Sequence, residues 1–127
     1  MKIMVLSKDP ELIESTRSVN HADSWNVKVY NYSSDPLDVV SNVCIEHPGI
    51  LVIDDDYLNP SSGHILASIK KMLDDLAIIF VTSNSDIELG REVSQMGVYY
   101  YAVKPLEEDA LIDSLKSIVK LRTKAMY

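Results

Sequence analysis

The apolar residues of this 127-residue chain alternate between two kinds of spacing, which change about every 25 residues. A spacing of two is typical of a strand, and a spacing near 3.6 is typical of an amphipathic helix. The predicted strands cover residues 3–6, 25–30, 50–53, 76–81 and 98–103, and each is followed by a helical pattern. Five strand–helix units in succession predict an α/β fold in which helices cover a mainly parallel sheet.

Two of the predicted strands are continuous apolar runs. Ile50-Leu51-Val52-Ile53 and Leu76-Ala77-Ile78-Ile79-Phe80-Val81 carry no polar residue, which is typical of central parallel strands that are buried on both faces. Residues 25–30 alternate apolar and polar instead. We therefore expect the second strand at an edge of the sheet.

The first two predicted helices are marked by their first residues. Asp9-Pro10 and Asp35-Pro36 each combine an N-capping carboxylate with a proline at the first helical position. Further helices are predicted at about 65–73, 86–96 and 107–124. For the second helix we expect the inward face to carry Leu37, Val40, Val43 and Cys44.

Composition excludes several classes of function. With 12 Lys and Arg against 19 Asp and Glu, the net charge is −7, which argues against a nucleic-acid-binding domain. The single cysteine, Cys44, cannot form an internal disulfide or a Cys-rich zinc site. Because no apolar run reaches the ~18 residues of a membrane span, we expect a cytoplasmic protein without a membrane partner.

Polar side chains follow four of the predicted strands. They are Ser7-Lys8-Asp9, Asp54-Asp55-Asp56, Thr82-Ser83 and Lys104-Pro105. Parallel strands end at one edge of the sheet, so a carboxylate, a hydroxyl and an ammonium are expected to converge there. This combination suits phosphoryl transfer to an aspartate. With only four glycines, the chain contains neither a GxGxxG motif nor a Walker A loop for nucleotide binding.

Three segments then resemble the receiver domains of two-component response regulators. Residues 48–54, Pro-Gly-Ile-Leu-Val-Ile-Asp, match the family's third strand and its phosphorylated aspartate. Thr82-Ser83 matches the end of its fourth strand, and residues 97–106 match its Gly-to-Lys-Pro-Phe segment, with Leu106 in place of the Phe. The resemblance covers the whole chain and implies one receiver-like domain over residues 1–127. It implies a three-layer, flavodoxin-like sandwich with strand order 2-1-3-4-5.

The resemblance also implies roles for individual residues. Asp54 would be the phosphoacceptor, Thr82 and Lys104 the pair that senses the phosphoryl group, and Tyr101 the switch aromatic. The Lys104-Pro105 bond would be cis. Asp55 and Asp56 remain alternative acceptors, although Asp54 has the better strand register.

The resemblance fails at the end of the first strand. Receiver domains place two acidic residues there to hold Mg²⁺, and this chain has Ser7 and Lys8. A lysine brings one positive charge where Mg²⁺ brings two, and each unit charge pair is worth about 4 kcal/mol at ~4 Å and an effective dielectric of about 20. We therefore expect Lys8, with Lys104, to neutralise the aspartates and Mg²⁺-dependent phosphorylation to be weak or absent. If Mg²⁺ binds at all, Asp54 and Asp56 are its expected ligands.

Three functions stay open. The first is a phosphoacceptor receiver that takes its phosphoryl group from a histidine kinase. The second is a phosphorylation-independent interaction adaptor on the same fold, and the third is a flavodoxin-like small-molecule enzyme. The first two are favoured, so we expect a signalling switch that is not an enzyme.

The surface that would contact a partner is predicted from fewer residues. By the period-two rule Tyr99 and Tyr101 share one face of the fifth strand. Receiver domains commonly dock partners through the face formed by the fourth helix, fifth strand and fifth helix, so the resemblance makes this face a candidate for homodimerisation or partner docking. Packing of the tyrosines within the domain explains the same pattern equally well.

Overall fold

The computed structural model describes residues 2–18, 25–107 and 109–125, and these form one sheet and six helices. The strands are β1 (Lys2–Leu6), β2 (Asn26–Tyr30), β3 (Ile50–Asp54), β4 (Ala77–Thr82) and β5 (Tyr100–Val103). The helices are α1 (Pro10–Arg17), α2 (Pro36–Glu46), α3 (Asp55–Leu58), α4 (Ser62–Met72), α5 (Ile87–Gln95) and α6 (Ala110–Ala125). None of the helices in these ranges has both the length and the apolar character that a bilayer span requires.

The sheet is fully parallel and has the order β2-β1-β3-β4-β5, which confirms the predicted topology. Every residue of β3 and β4 is buried, as expected for the two continuous apolar runs. β2 is half-exposed and lies at an edge of the sheet, next to β1. Parallel pairing brings the carboxyl ends of all five strands to the same side of the molecule.

Alternation along the central strands separates the core into two layers. One layer contains Leu51, Ile53 and Phe80, which pack under α2, α4 and α5 through residues such as Val43, Leu66 and Val93. The other layer contains Ile50, Val52 and Ile79, which pack under α1 and α6. Because successive side chains of a strand point to opposite faces, a single apolar run supplies both layers. This is the predicted three-layer sandwich.

The predicted start signals of α1 and α2 are confirmed. The side chain of Asp9 accepts a hydrogen bond from the backbone N–H of Glu11 at 3.0 Å, and Pro10 is the first helical residue. Asp35 caps α2 in the same way, through the N–H of Asp38 at 3.3 Å. These local signals act within a few residues, which is why the sequence alone reveals them.

The inward face of α2 differs from the prediction at one position. Leu37 is 75% exposed, whereas Val39 is fully buried together with Val43. Two residues correspond to about 200° around a helix, so burying Val39 turns Leu37 outward. The partly buried Val40 and Cys44 flank the buried pair.

A short helix, α3, lies between β3 and α4, in a segment for which the sequence predicts no helix. Asp54 caps it by accepting a hydrogen bond from the N–H of Asp56 at 3.1 Å. The predicted third, fourth and fifth helices therefore correspond to α4, α5 and α6. As a consequence, the three consecutive aspartates project in different directions.

Candidate functional site

The strand ends meet at one edge of the sheet, as the sequence predicts. A cavity of about 480 Å³ opens there. Its lining residues are Lys8, Asp9, Ser34, Asp54, Asp56, Tyr57 and Lys104. Thr82, in contrast, is fully buried and does not line the cavity.

Asp54 is the last residue of β3 and is only 2% exposed. Its Oδ2 accepts a hydrogen bond from the Ser7 hydroxyl at 2.6 Å. Its Oδ1 accepts from the Lys104 ammonium and from the backbone N–H of Asp56, both at 3.1 Å. Both carboxylate oxygens are thus satisfied by groups of the chain itself.

Lys104 stands between three carboxylates. Its Nζ lies 3.0 Å from Asp9 Oδ2, 3.1 Å from Asp54 Oδ1 and 3.0 Å from Asp56 Oδ2. Burial lowers the pKa of Lys104, but the hydrogen bonds to these carboxylates outweigh it and raise the pKa above its ordinary value of 10.5. Lys104 is therefore a permanent cation at the centre of the site.

The same contacts act on the acids. Burial raises the pKa of Asp9, yet the hydrogen bond and charge of Lys104 bring it below its ordinary value of 3.8. For Asp56, burial again raises the pKa, and hydrogen bonds from Ser83 and Lys104 lower it further than burial raises it. The site thus holds ionised carboxylates around one ammonium. Sequence reasoning assigned Asp9 only to capping and missed its ion pair with Lys104.

The predicted ion pair between Lys8 and Asp54 is not formed. Lys8 is exposed, and its Nζ lies 5.8 Å from the centroid of the Tyr57 ring. Successive residues leave a strand in opposite directions, so Ser7 turns toward Asp54 and Lys8 turns away. Within the described ranges, the cation in salt-bridge reach of Asp54 is Lys104.

Thr82, which the resemblance assigns to sensing a phosphoryl group, is bonded to Asp55 in the structure. Its hydroxyl donates to Asp55 Oδ2 at 2.6 Å. The other oxygen of Asp55 accepts from the Ser62 hydroxyl at 2.5 Å, and the Asp55 residue is only 5% exposed. The run of three aspartates signalled an acidic site, but it left open which acid each strand end would meet.

Ser83 bonds to Asp56, the residue that was predicted as a metal ligand. The backbone N–H and the hydroxyl of Ser83 donate to Asp56 Oδ1 at 3.2 Å and 2.7 Å. Asp56 therefore divides its oxygens between Ser83 and Lys104. In the ranges that the structure describes, no group of three His, Cys, Asp or Glu side chains is arranged to hold a metal ion.

Tyr101 and Pro105 complete the predicted set. The Tyr101 ring stacks on Phe80 with centroids 5.9 Å apart and planes at 8°. Its hydroxyl is buried without a hydrogen-bond partner among the described residues, and burial, followed by the charges of Asp55 and Asp86, raises its pKa. The Lys104-Pro105 bond is cis, as predicted.

Comparison with known proteins places this geometry in context. No protein-family model matches the chain. The chain is 25% identical over 121 residues to the C4-dicarboxylate transport transcriptional regulatory protein DctD of Pseudomonas aeruginosa, which is 95% of this chain and 26% of DctD. It is 23% identical over 120 residues to the response regulator protein TodT of Pseudomonas putida, which is 94% of this chain and 51% of TodT. The chain thus spans only a quarter to half of these curated relatives.

The fold itself is shared with solved receiver domains. A response regulator receiver domain protein from Clostridium thermocellum superposes with a TM-score of 0.72 at 21% identity, covering 99% of this chain and 98% of that one. Together with the strand order, these similarities confirm the resemblance to response-regulator receiver domains.

Proposed function

We propose that this chain works as the receiver-type switch of a two-component signalling protein and that Lys104 takes the place of a metal ion at Asp54. Mg²⁺-dependent phosphorylation of Asp54 is then weak or absent. The proposal is carried by one observation, the contact of a single ammonium with the three carboxylates of Asp9, Asp54 and Asp56.

The residues present do not fit a magnesium site. Mg²⁺ prefers oxygen ligands in octahedral geometry. The three carboxylates that line the site, those of Asp9, Asp54 and Asp56, all contact the Lys104 ammonium instead. The end of β1 contributes the Ser7 hydroxyl, which is bonded to Asp54, and the outward Lys8. A metal ion would have to displace Lys104 from at least two of its partners.

Phosphorylation of Asp54 from a small donor has simple chemistry. A carboxylate oxygen forms a bond to phosphorus while the bond from phosphorus to the leaving carboxylate of the donor breaks. The attacking oxygen would weaken its hydrogen bond to Ser7 or to Lys104 as it bonds to phosphorus, since Oδ2 accepts from Ser7 and Oδ1 accepts from Lys104. Lys104 is placed to face the charge on the phosphoryl oxygens, but it supplies one positive charge and is shared with two other acids.

A second candidate function is a phosphorylation-independent interaction adaptor. It is favoured by Thr82, whose hydroxyl donates its proton to Asp55. In this case the same fold presents a constant surface, and Asp54 has only a structural role. A histidine kinase is the expected partner of the switch and is not required by the adaptor.

One experiment tests whether Lys104 takes the place of the metal ion. The protein is incubated with acetyl phosphate, with and without Mg²⁺, and weighed intact by mass spectrometry. The proposal expects little or no phosphoryl adduct in either condition. A strong Mg²⁺-dependent adduct that disappears in Asp54→Asn would contradict the replacement of the metal by Lys104.

The chain offers a matched gain-of-function control. The double variant Ser7→Asp, Lys8→Asp restores acids at the two strand-end positions. If Asp54 is the acceptor of a switch and lacks only the metal site, this variant gains a Mg²⁺-dependent adduct that Asp54→Asn abolishes. If the restored variant stays unmodified while it binds Mg²⁺, the adaptor is favoured.

The surface of α5, β5 and α6 remains the proposed docking face. Ile87 and Val103 are exposed there, whereas Tyr101 is packed inward on Phe80. Tyr99 is 48% exposed and is the tyrosine of this segment that a partner or a second copy could contact.

A further inference from the structure

Asp55 is a buried carboxylate held by hydroxyl groups. Thr82 donates to one oxygen and Ser62 to the other, and no lysine, arginine or histidine lies in salt-bridge reach of Asp55 within residues 2–18, 25–107 and 109–122. A buried carboxylate without a cation depends strongly on its remaining donors. The bond from Thr82 is therefore costly to break.

The Thr82 hydroxyl has no proton left for another acceptor. A threonine hydroxyl donates once, and this proton goes to Asp55 Oδ2. The hydroxyl oxygen accepts in turn from the backbone N–H of Asn84 at 3.0 Å. An oxygen of a phosphoryl group on Asp54 would have to compete with Asp55 for the proton of the Thr82 hydroxyl.

The bond belongs to a continuous chain of contacts that reaches α5. Two successive acids of α3, Asp55 and Asp56, hold the successive residues Thr82 and Ser83. Asn84 then accepts from the N–H of Asp86 at 2.9 Å, and Asp86 caps α5. The last residue of β4, Thr82, and the first residue of the β4–α5 connection, Ser83, are thus both fastened to α3.

We propose that Asp55, Thr82 and Ser62 form an internal latch that fixes the β4–α5 connection independently of the charge on Asp54. Asp55 acts as a built-in acceptor for the Thr82 hydroxyl, which the resemblance to receiver domains assigns to sensing a phosphoryl group. The inference rests on the proposed receiver-type switch only in that role of Thr82, because the latch is a property of the unmodified chain. It makes the surface that follows residue 82 constant.

Amide hydrogen exchange by NMR tests the latch. Thr82→Val keeps the shape of the side chain and removes its donor, so amides of residues 83–95 should exchange about tenfold faster than in wild type. Thr82→Ser keeps the hydroxyl and should leave these amides at the wild-type rates. Asp54→Asn should leave the same amides within about threefold of wild type. Asp55→Asn, which retains an acceptor oxygen, should fall between the two and serves where Thr82→Val folds poorly.

Two further variants control for general loosening. Asp38→Asn alters an exposed carboxylate that accepts from the Ser33 hydroxyl at 2.9 Å and should not change exchange in residues 83–95. Asp55→Leu with Thr82→Val removes the bond without leaving a buried carboxylate unpaired, and exchange in residues 83–95 should stay faster than in wild type, because residue 82 is then no longer bonded to α3.

Two outcomes would overturn the latch. One is unchanged exchange in a folded Thr82→Val variant. The other is an Asp54→Asn variant that accelerates residues 83–95 as much as Thr82→Val does, because Thr82 would then respond to Asp54. Neither outcome depends on whether acetyl phosphate modifies Asp54, so failure of the latch and failure of the proposed function are distinguishable.

Discussion

At the scale of single residues, two lysines that were both expected to neutralise the aspartates have different surroundings. Lys104 follows β5, and its side chain reaches three carboxylates. Lys8 follows β1, and its side chain is exposed and lies near the Tyr57 ring. Long flexible side chains reach several Å from their Cα, so their partners depend on direction rather than on sequence position. In the structure the ammonium that contacts the carboxylates of this site is that of Lys104.

Lys104→Met tests this role. Removing the ammonium leaves three carboxylates facing one another, so the free energy of unfolding at pH 7 should fall by about 2 kcal/mol, as for a partly buried charge that loses its partner. Mg²⁺ should then raise the melting temperature of the variant and not that of the wild type. Lys8→Met is the matched control and should change neither quantity appreciably.

The difference in unfolding free energy between wild type and Lys104→Met should depend on pH. The folded-state pKa values of Asp9 and Asp56 lie below their ordinary value of 3.8, so the stability that these contacts supply is present above pH 3.8 and is lost as pH falls through the lowered values. Wild type and Lys104→Met should therefore converge in urea denaturation below pH 3.8. A difference that grows on acidification would contradict the ion-pair description.

At the scale of elements, two glycines of opposite character lie in and just after α5. Gly90 lies inside α5, and a Cβ there would meet the Tyr101 ring at 3.4 Å, an ordinary contact. Gly97 follows α5 with φ of +80°, a backbone conformation that L side chains rarely adopt. The same substitution should thus have opposite effects at the two positions.

Gly90→Ala should stabilise the protein by about 0.5 to 1 kcal/mol, because alanine restricts the unfolded chain and favours the helix. Gly97→Ala should destabilise it by about 1 kcal/mol, because alanine is strained at positive φ. Urea denaturation monitored through Trp25 fluorescence measures both. Effects of equal sign would show that packing against Tyr101 or Lys70, and not backbone conformation, decides them.

At the scale of the whole molecule, the two core layers decide which apolar residues matter. Leu66 of α4 is fully buried in the layer with Phe80, and Leu37 of α2 is 75% exposed although both lie on amphipathic helices. Leu66→Ala should cost about 3 kcal/mol of unfolding free energy, and Leu37→Ala should change it by less than about 0.5 kcal/mol. Denaturant unfolding of this matched pair checks which face of α2 is inward, and a large loss in Leu37→Ala would contradict the orientation of that helix.

The sequence by itself determined which segments form strands, where the first two helices begin and at which edge of the sheet the polar side chains gather. Those features depend on periodicity, capping and apolar runs, which act over a few residues or along a single strand. Only the tertiary structure decided that Lys104 rather than Lys8 meets Asp54, and that Thr82 meets Asp55. Those partners are far apart along the chain, and α3 turns three neighbouring aspartates in different directions, so the pairing depends on side-chain geometry that no local pattern encodes.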